Sequence, residues 1–173
     1  MSKELELELT FLAKEIPEEV KGKQSVRITD VYVPDSVAHP NLRLRQKGDK
    51  FEITKKIMVN DNDASEQVEH TIELTEAEFK DLAKSSQKVV AKDRYLVELC
   101  GRSAEVDVFV GGLKGLVLID FEFDNPTDKT NFKTPEMVLA DVTQEEFTAG
   151  GKLAGKTYAD IAKDLDRFGY KPL

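Results

Sequence analysis

The chain has 173 residues, 34% of them charged, and a formal net charge of -8, which suits one core-forming domain and argues against general nucleic-acid binding. Its single cysteine, Cys100, excludes an intrachain disulfide and a cysteine-ligated metal. No stretch has the apolar run of a secretory signal or a membrane-crossing helix, and nine Phe, four Tyr and no Trp fall short of the aromatic girdles of an outer-membrane barrel; a cytoplasmic protein with one domain over 1–173 is expected.

Alternation of apolar and polar residues, the primary mark of a half-buried strand, begins at once. Over an expected strand Ser2–Ala13, Glu4, Glu6 and Glu8 alternate with Leu5, Leu7 and Leu9. The carboxylates then form a column with neighbours about 6–7 Å apart, costly unless water, cations or basic side chains face it. A second strand is expected over 25–33. Asn41, Arg43, Arg45 and Lys47 alternate with Leu42 and Leu44 up to a turn at Gly48 and Asp49. Beyond it, Phe51, Ile53, Ile57 and Val59 alternate with Glu52, Thr54 and Lys56, which completes a hairpin.

Residues 60–64 read as a polar loop, after which Gln67, Glu69, Thr71 and Glu73 face away from Val68, Ile72 and Leu74. Thr75 and Glu78 have the spacing of a capping box and predict a helix of two to three turns. A strand over 89–100 follows, then a turn over 101–104, then Glu105 and Asp107 alternating with Val106 and Val108. Gly111, Gly112 and Gly115 mark another turn; without a Gly-Lys-Ser/Thr ending it is not a phosphate loop. Val117, Ile119, Phe121 and Phe123 oppose Asp120 and Glu122 in an eighth strand. From Asn125 the pattern is mixed and helical, ending in a helix over 158–168.

About eight strands result, most with one ionic face. An antiparallel sheet with one wet face explains the alternation, but less well the mixture of signs. Arg43, Arg45, Lys56, Lys92 and Arg94 stand on three strands, whereas acids dominate the others. A barrel closed with these faces inward would have a lumen lined by acid and base together. Acids hold a hard divalent cation through oxygen, and arginine forks and lysines hold phosphate. A triphosphate bridged to protein by a cation uses both halves. His39 and His70 lack the spacing of a zinc site, Cys100 reads as a half-buried strand residue, and 60–63 lacks the glycine and terminal glutamate of a calcium loop.

From Glu4 to Leu153 the sequence resembles the CYTH domain, the family also called triphosphate tunnel metalloenzymes. Glu6-Leu7-Glu8-Leu9-Thr10 fits the two acids of its Glu-x-Glu-x-Lys opening. Leu42-Arg43-Leu44-Arg45 with Ile53-Thr54-Lys55-Lys56 is similar to its Arg-x-Arg hairpin and Thr-x-Lys, and Lys92-Asp93-Arg94-Tyr95 to its basic sixth strand. Glu105-Val106-Asp107-Val108-Phe109, Gly112, Leu116-Val117-Leu118 and Asp120-Phe121-Glu122, then Asp141-Val142-Thr143 and Lys152-Leu153, follow the family's order and spacing.

The resemblance implies an α+β fold, a closed eight-stranded antiparallel barrel with flanking helices, and a small-molecule triphosphate bound with Mg2+ or Mn2+. Carried over by position, Glu6, Glu8 and Glu122 are the catalytic, metal-holding acids, with Asp120 beside them as a further ligand. Arg43, Arg45, Lys56, Lys92, Arg94 and Lys152 are the implied phosphate-binding residues. The implied chemistry is metal-assisted phosphoryl transfer to water, on inorganic triphosphate or a small organic triphosphate. Two other readings stand beside it: a non-catalytic module that binds triphosphate, polyphosphate or nucleotide, and a class IV-type adenylyl cyclase, for which no adenine pocket is legible. The family includes homodimers, and no nucleic-acid or membrane partner is expected.

The chain departs from the family at three points. Thr10 stands where the opening motif has lysine, and Lys14, of the same parity, lies about 13 Å further along an extended strand. The fifth strand offers Gln67, Glu69 and Thr71 where the family has an Arg followed by two alternating Glu, and an alignment on Glu69 and Glu73 is also open. Met137 replaces a tryptophan.

Overall fold

The alternating strands close on themselves. A computed structural model of the chain describes the backbone of residues 2–60 and 63–173, and the side chains of 5–60 and 63–173. Its elements in order are β1 (Ser2–Ala13), β2 (Val26–Val33), β3 (Leu42–Lys47), β4 (Lys50–Asn60), β5 (Asp63–Leu74), α1 (Glu76–Ala83), β6 (Val89–Leu99), β7 (Arg102–Phe109), β8 (Val117–Glu122), α2 (Pro126–Thr130), β9 (Val138–Asp141), α3 (Gly150–Leu153) and α4 (Tyr158–Asp166). The strands run β5-β4-β3-β2-β6-β7-β8-β1, and β5 pairs back onto β1. Every pairing is antiparallel. Eight strands thus form the expected barrel.

The ninth strand corrects the reading of the region after Asn125 as mixed and helical. β9 pairs with the end of β1 through Phe11↔Asp141 and Leu12↔Ala140. Four residues are too few to show a period of their own. The turn expected over 101–104 is shorter and earlier. Cys100 and Gly101 both have positive φ, 53° and 75°, as a two-residue hairpin turn requires. Cys100 is therefore exposed in a turn and not half-buried in a strand. Within the loop expected over 60–64, Asn60 and Asp63 are paired across β4 and β5; residues 61–62 lie outside those described.

Three apolar clusters hold the barrel. On the outside of β1, β7 and β8, Phe11, Val106, Ile119 and Phe121 are buried beneath Val20, Phe132 and Met137. α1 lays Phe79 over Val31 and Leu44, and the expected capping box starts it, with Thr75 Oγ1 accepting from Glu78 N and the Glu78 carboxylate accepting from Thr75 N. The third cluster joins lumen-facing Tyr32, Val90, Phe109 and Leu118 to Leu153, Ile161, Leu165 and Tyr170. The C-terminal helices thereby give the charged lumen an apolar floor. Among the described residues, no helix is long and apolar enough to cross a membrane.

Candidate functional site in the barrel lumen

Partners across an antiparallel pair point to the same face, so the register decides which side chains meet inside. Glu6 lies opposite Gln67, Glu8 opposite Glu122, and Thr10 opposite Asp120. Asp30 faces Arg45, and Tyr32 faces Arg43. Lys56 faces Glu69, Arg94 faces Asp107, and Glu105 faces Asp120. A cavity of about 670 Å³ lies in the lumen, lined by Glu6, Glu8, Thr10, Arg43, Arg45, Lys56, Lys92, Arg94, Asp107 and Asp120, and also by His39, Asn41, Met58 and Gln144.

The basic side chains do not stand free, as a bare phosphate grip would. Arg45 makes a two-pronged pair with Asp30, Nε–Oδ1 and Nη2–Oδ2 both 2.7 Å, and both residues are buried. Burial pushes the Asp30 carboxyl up, but the Arg45 guanidinium outweighs it and holds Asp30 well below the usual carboxylate range. Arg94 grips Asp107 in the same manner, at 2.7 Å twice, and also contacts Glu105; Lys92 bonds to Asp107 as well. Lys56 Nζ lies 2.5 Å from Glu6 Oε2 and 2.8 Å from Glu69 Oε1, and Arg43 Nη2 lies 3.2 Å from Glu69 Oε1. Arg43 Nε is buried with no hydrogen-bond acceptor among the described residues.

The acids are crowded in a cluster where, among the described residues, Glu6 alone is met by a base, Lys56. Oxygens of Glu6, Glu8 and Glu122 lie within 4.8 Å of one another, and Glu8 and Glu122 are a like-charge cross-strand pair, which is destabilising by itself. Burial first, and then the Asp120 charge, raises Glu8 to about 8. Burial, then Glu105 and Glu6, raises Glu122. Burial and the Asp107 carboxylate raise Asp120 to about 6. Such a set fits a hard cation: several converging oxygens, excess negative charge, and one member, Glu122, open to solvent at the rim. Taken together, Glu6, Glu8, Asp30, Glu69, Glu105, Asp107, Asp120 and Glu122 meet only Arg43, Arg45, Lys56, Lys92 and Arg94.

The expected site residues are therefore brought together with two exceptions. Lys152 does not line the cavity; its ammonium pairs with Glu146 at 3.1 Å, and Glu146 also meets His39 at 3.4 Å. Asp120 faces the same lumen but lies outside the three-acid cluster. In the fifth strand the register sets Glu69 against Lys56 in the lumen, while Glu73 sits opposite Glu52 near the strand end. Asp30 was not anticipated. Its signal is a lone acid of the same parity as Val26, Ile28 and Tyr32, and only a buried cation makes that tolerable.

No family model and no curated protein matches the chain. Solved structures do. The inorganic triphosphatase NE1496 is 25% identical with a TM-score of 0.64, over 87% of this chain and 95% of that one. A second structure of NE1496 gives 26% identity and the same TM-score over 88% and 99%. A proposed adenylate cyclase from Bacillus halodurans, 17% identical with a TM-score of 0.57 over 94% and 98%, shares the fold. An eight-stranded closed barrel with its acids and bases facing inward, and this likeness to NE1496, support a CYTH, or triphosphate tunnel, domain.

Proposed function

We propose that the lumen binds a triphosphate together with a divalent cation, Mg2+ or Mn2+, and that the protein is a triphosphatase acting on inorganic triphosphate or a small organic triphosphate. One observation carries this reading. Glu6 belongs both to the three-acid cluster and to the Lys56 ion pair, so a cation-holding wall and a phosphate-holding wall share a residue. The likeness to the inorganic triphosphatase NE1496 supports it.

In this scheme Glu6, Glu8 and Glu122 hold the cation, whose chemistry is to neutralise phosphate oxygens and lower the pKa of a bound water. Arg43 and Lys56 turn from Glu69 and Glu6 toward phosphate oxygens, and Arg43 Nε supplies a donor that has no competing acceptor. Arg94 and Lys92, anchored by Asp107, extend the cationic wall. Arg45 is held on two prongs by Asp30 and has less left to offer a phosphate. No side chain needs to become a covalent nucleophile.

Phosphate release from inorganic triphosphate with Mg2+ or Mn2+, beside a Glu6→Ala/Glu8→Ala control, tests the reading. Release that vanishes in the control supports the hydrolase. Binding detected by thermal shift, with no release in either metal, supports instead a non-catalytic triphosphate-binding module. Thr10, in place of the motif lysine, is the feature that favours this second reading.

A further inference from the structure

The charges of the lumen fall into separable groups. Asp30 and Arg45 cancel, and Lys56 and Arg43 balance Glu6 and Glu69. Glu8 and Glu122, once ionised, place two negative charges beside Glu6, the charge of one divalent cation. The last group is Lys92, Arg94, Glu105, Asp107 and Asp120, and it keeps one negative charge in excess.

That excess rests on Asp120. Lys92 and Arg94 are engaged by Asp107 and Glu105, whereas Asp120 Oδ2 comes no nearer to Arg94 Nη2 than 3.7 Å. Asp120 Oδ1 is buried without a hydrogen-bond partner among the described residues, and the residue is only 6% exposed. An unpaired buried carboxylate is costly. Its cross-strand neighbours are Glu105, which adds like charge, and Thr10, which is neutral. The Thr10 hydroxyl donates to Glu8 Oε1 at 3.3 Å, so its oxygen lone pairs are left to accept. Thr10 and Asp120 both line the cavity.

We propose that Thr10 and Asp120 hold a resident monovalent cation, sodium or potassium, distinct from the divalent cation of Glu6, Glu8 and Glu122. The charge of the group selects the valence. One positive charge balances it, whereas a second divalent ion would leave a net positive charge buried beside Lys92 and Arg94. A hydroxyl with one carboxylate is also a poor set for Mg2+, which demands near-octahedral geometry and keeps several waters. The site is independent of the triphosphatase reading, because it compensates the protein's own charge with no substrate present.

The test uses the full chain in EDTA at pH 8, with no phosphate compound. Ionic strength is held constant with tetramethylammonium chloride, whose cation is too large and too poorly solvated by a small oxygen site to substitute. Replacing it by KCl or NaCl should raise the melting temperature saturably, by about 2–4 °C for a stabilisation near 1 kcal/mol in a chain of this size. Asp120→Asn, which preserves shape, should abolish the response. Thr10→Lys should place an ammonium in the site and leave a protein indifferent to potassium and sodium. Broadening of the 23Na resonance by the wild type, and not by Asp120→Asn, would report the ion directly. Equal melting temperatures in all three salts, or a cation response that survives in Asp120→Asn, would overturn the proposal. Should Thr10→Lys fail to fold, the Asp120→Asn comparison decides alone.

Discussion

Arg43 is the lumen base with the most unused hydrogen-bonding capacity. Its Nη2 reaches Glu69 at a modest 3.2 Å, and its Nε reaches nothing among the described residues. Hydrogen bonds to charged groups contribute about 1.5–3 kcal/mol, so Arg43→Ala should weaken triphosphate binding by about 10- to 100-fold. Glu69 keeps Lys56 at 2.8 Å, so no acid is orphaned and the fold should survive. Calorimetric titration checks this, and unchanged affinity in Arg43→Ala would remove the basis for the tunnel site. Asp30 has the opposite character, since it anchors Arg45 and offers nothing to a ligand. Asp30→Ala leaves a buried guanidinium without its partner, a change worth about 3–5 kcal/mol. Its native pKa is depressed by Arg45 against the penalty of burial, so its stabilisation is full above the unfolded carboxylate value of about 3.9. The stabilisation is lost as pH falls from there toward the native value. Urea midpoints of the wild type should therefore drop between pH 4 and 2, and those of Asp30→Asn should start lower at pH 7 and fall less over that interval. Parallel curves would contradict the assignment. Strand parity alone made Glu6, Glu8, Arg43 and Lys56 legible in the sequence as members of one face. It did not reveal that each base already has an acid, because the partners come from strands tens of residues away, as in Lys56–Glu6.

At the level of elements, periodic segments were legible and short ones were not. β1 and the β3–β4 hairpin fall where alternation put them, and the capping box marks α1. β9 has four residues, and α3 begins with two glycines, a sequence with little helical propensity. Tertiary contact explains that glycine pair. A Cβ on Gly150 would meet Tyr32 Oη at 2.1 Å and Cζ at 2.9 Å, and one on Gly151 would meet the Pro40 carbonyl at 2.6 Å. α3 can therefore lie against the barrel only with its backbone bare on that side. Gly150→Ala should destabilise the protein by about 1–3 kcal/mol through overpacking. Tyr32→Phe deletes the atom in closest conflict, so the double variant should be more stable than the sum of the two single changes implies. Additive urea-denaturation energies would show that this contact does not set the position of α3. The same comparison bears on the site, since Tyr32 and Gly150 both line the cavity.

For the whole molecule, barrel closure through β1 and β5 was not a local property of either strand, and only the mixture of signs on the alternating faces hinted at it. Closure turns that mixture into a constraint on binding. The lumen carries more carboxylates than bases, and every basic group is already in contact with an acid. A triphosphate entering alone would add negative charge to a lumen already in excess, and would have to pull Lys56 from Glu6 without giving Glu6 a new partner. With a divalent cation at Glu6, Glu8 and Glu122, the same movement exchanges one counter-charge for another. Cation and triphosphate should therefore bind with positive coupling, in the usual range of about 1–3 kcal/mol, or 5–150-fold in affinity. Linkage requires the triphosphate to raise cation affinity by the same factor. Titration of a non-hydrolysable imido-bridged triphosphate, with free concentrations corrected for the complex it forms with Mg2+, should show tight binding with Mg2+ and weak binding in EDTA. In Glu8→Gln the difference should shrink, because one of the cation's ligands and one of the excess charges are removed together. Equal affinity with and without Mg2+ in the wild type would mean that the five bases suffice to hold the polyanion, and that the acid wall serves some purpose other than sharing a cation with it.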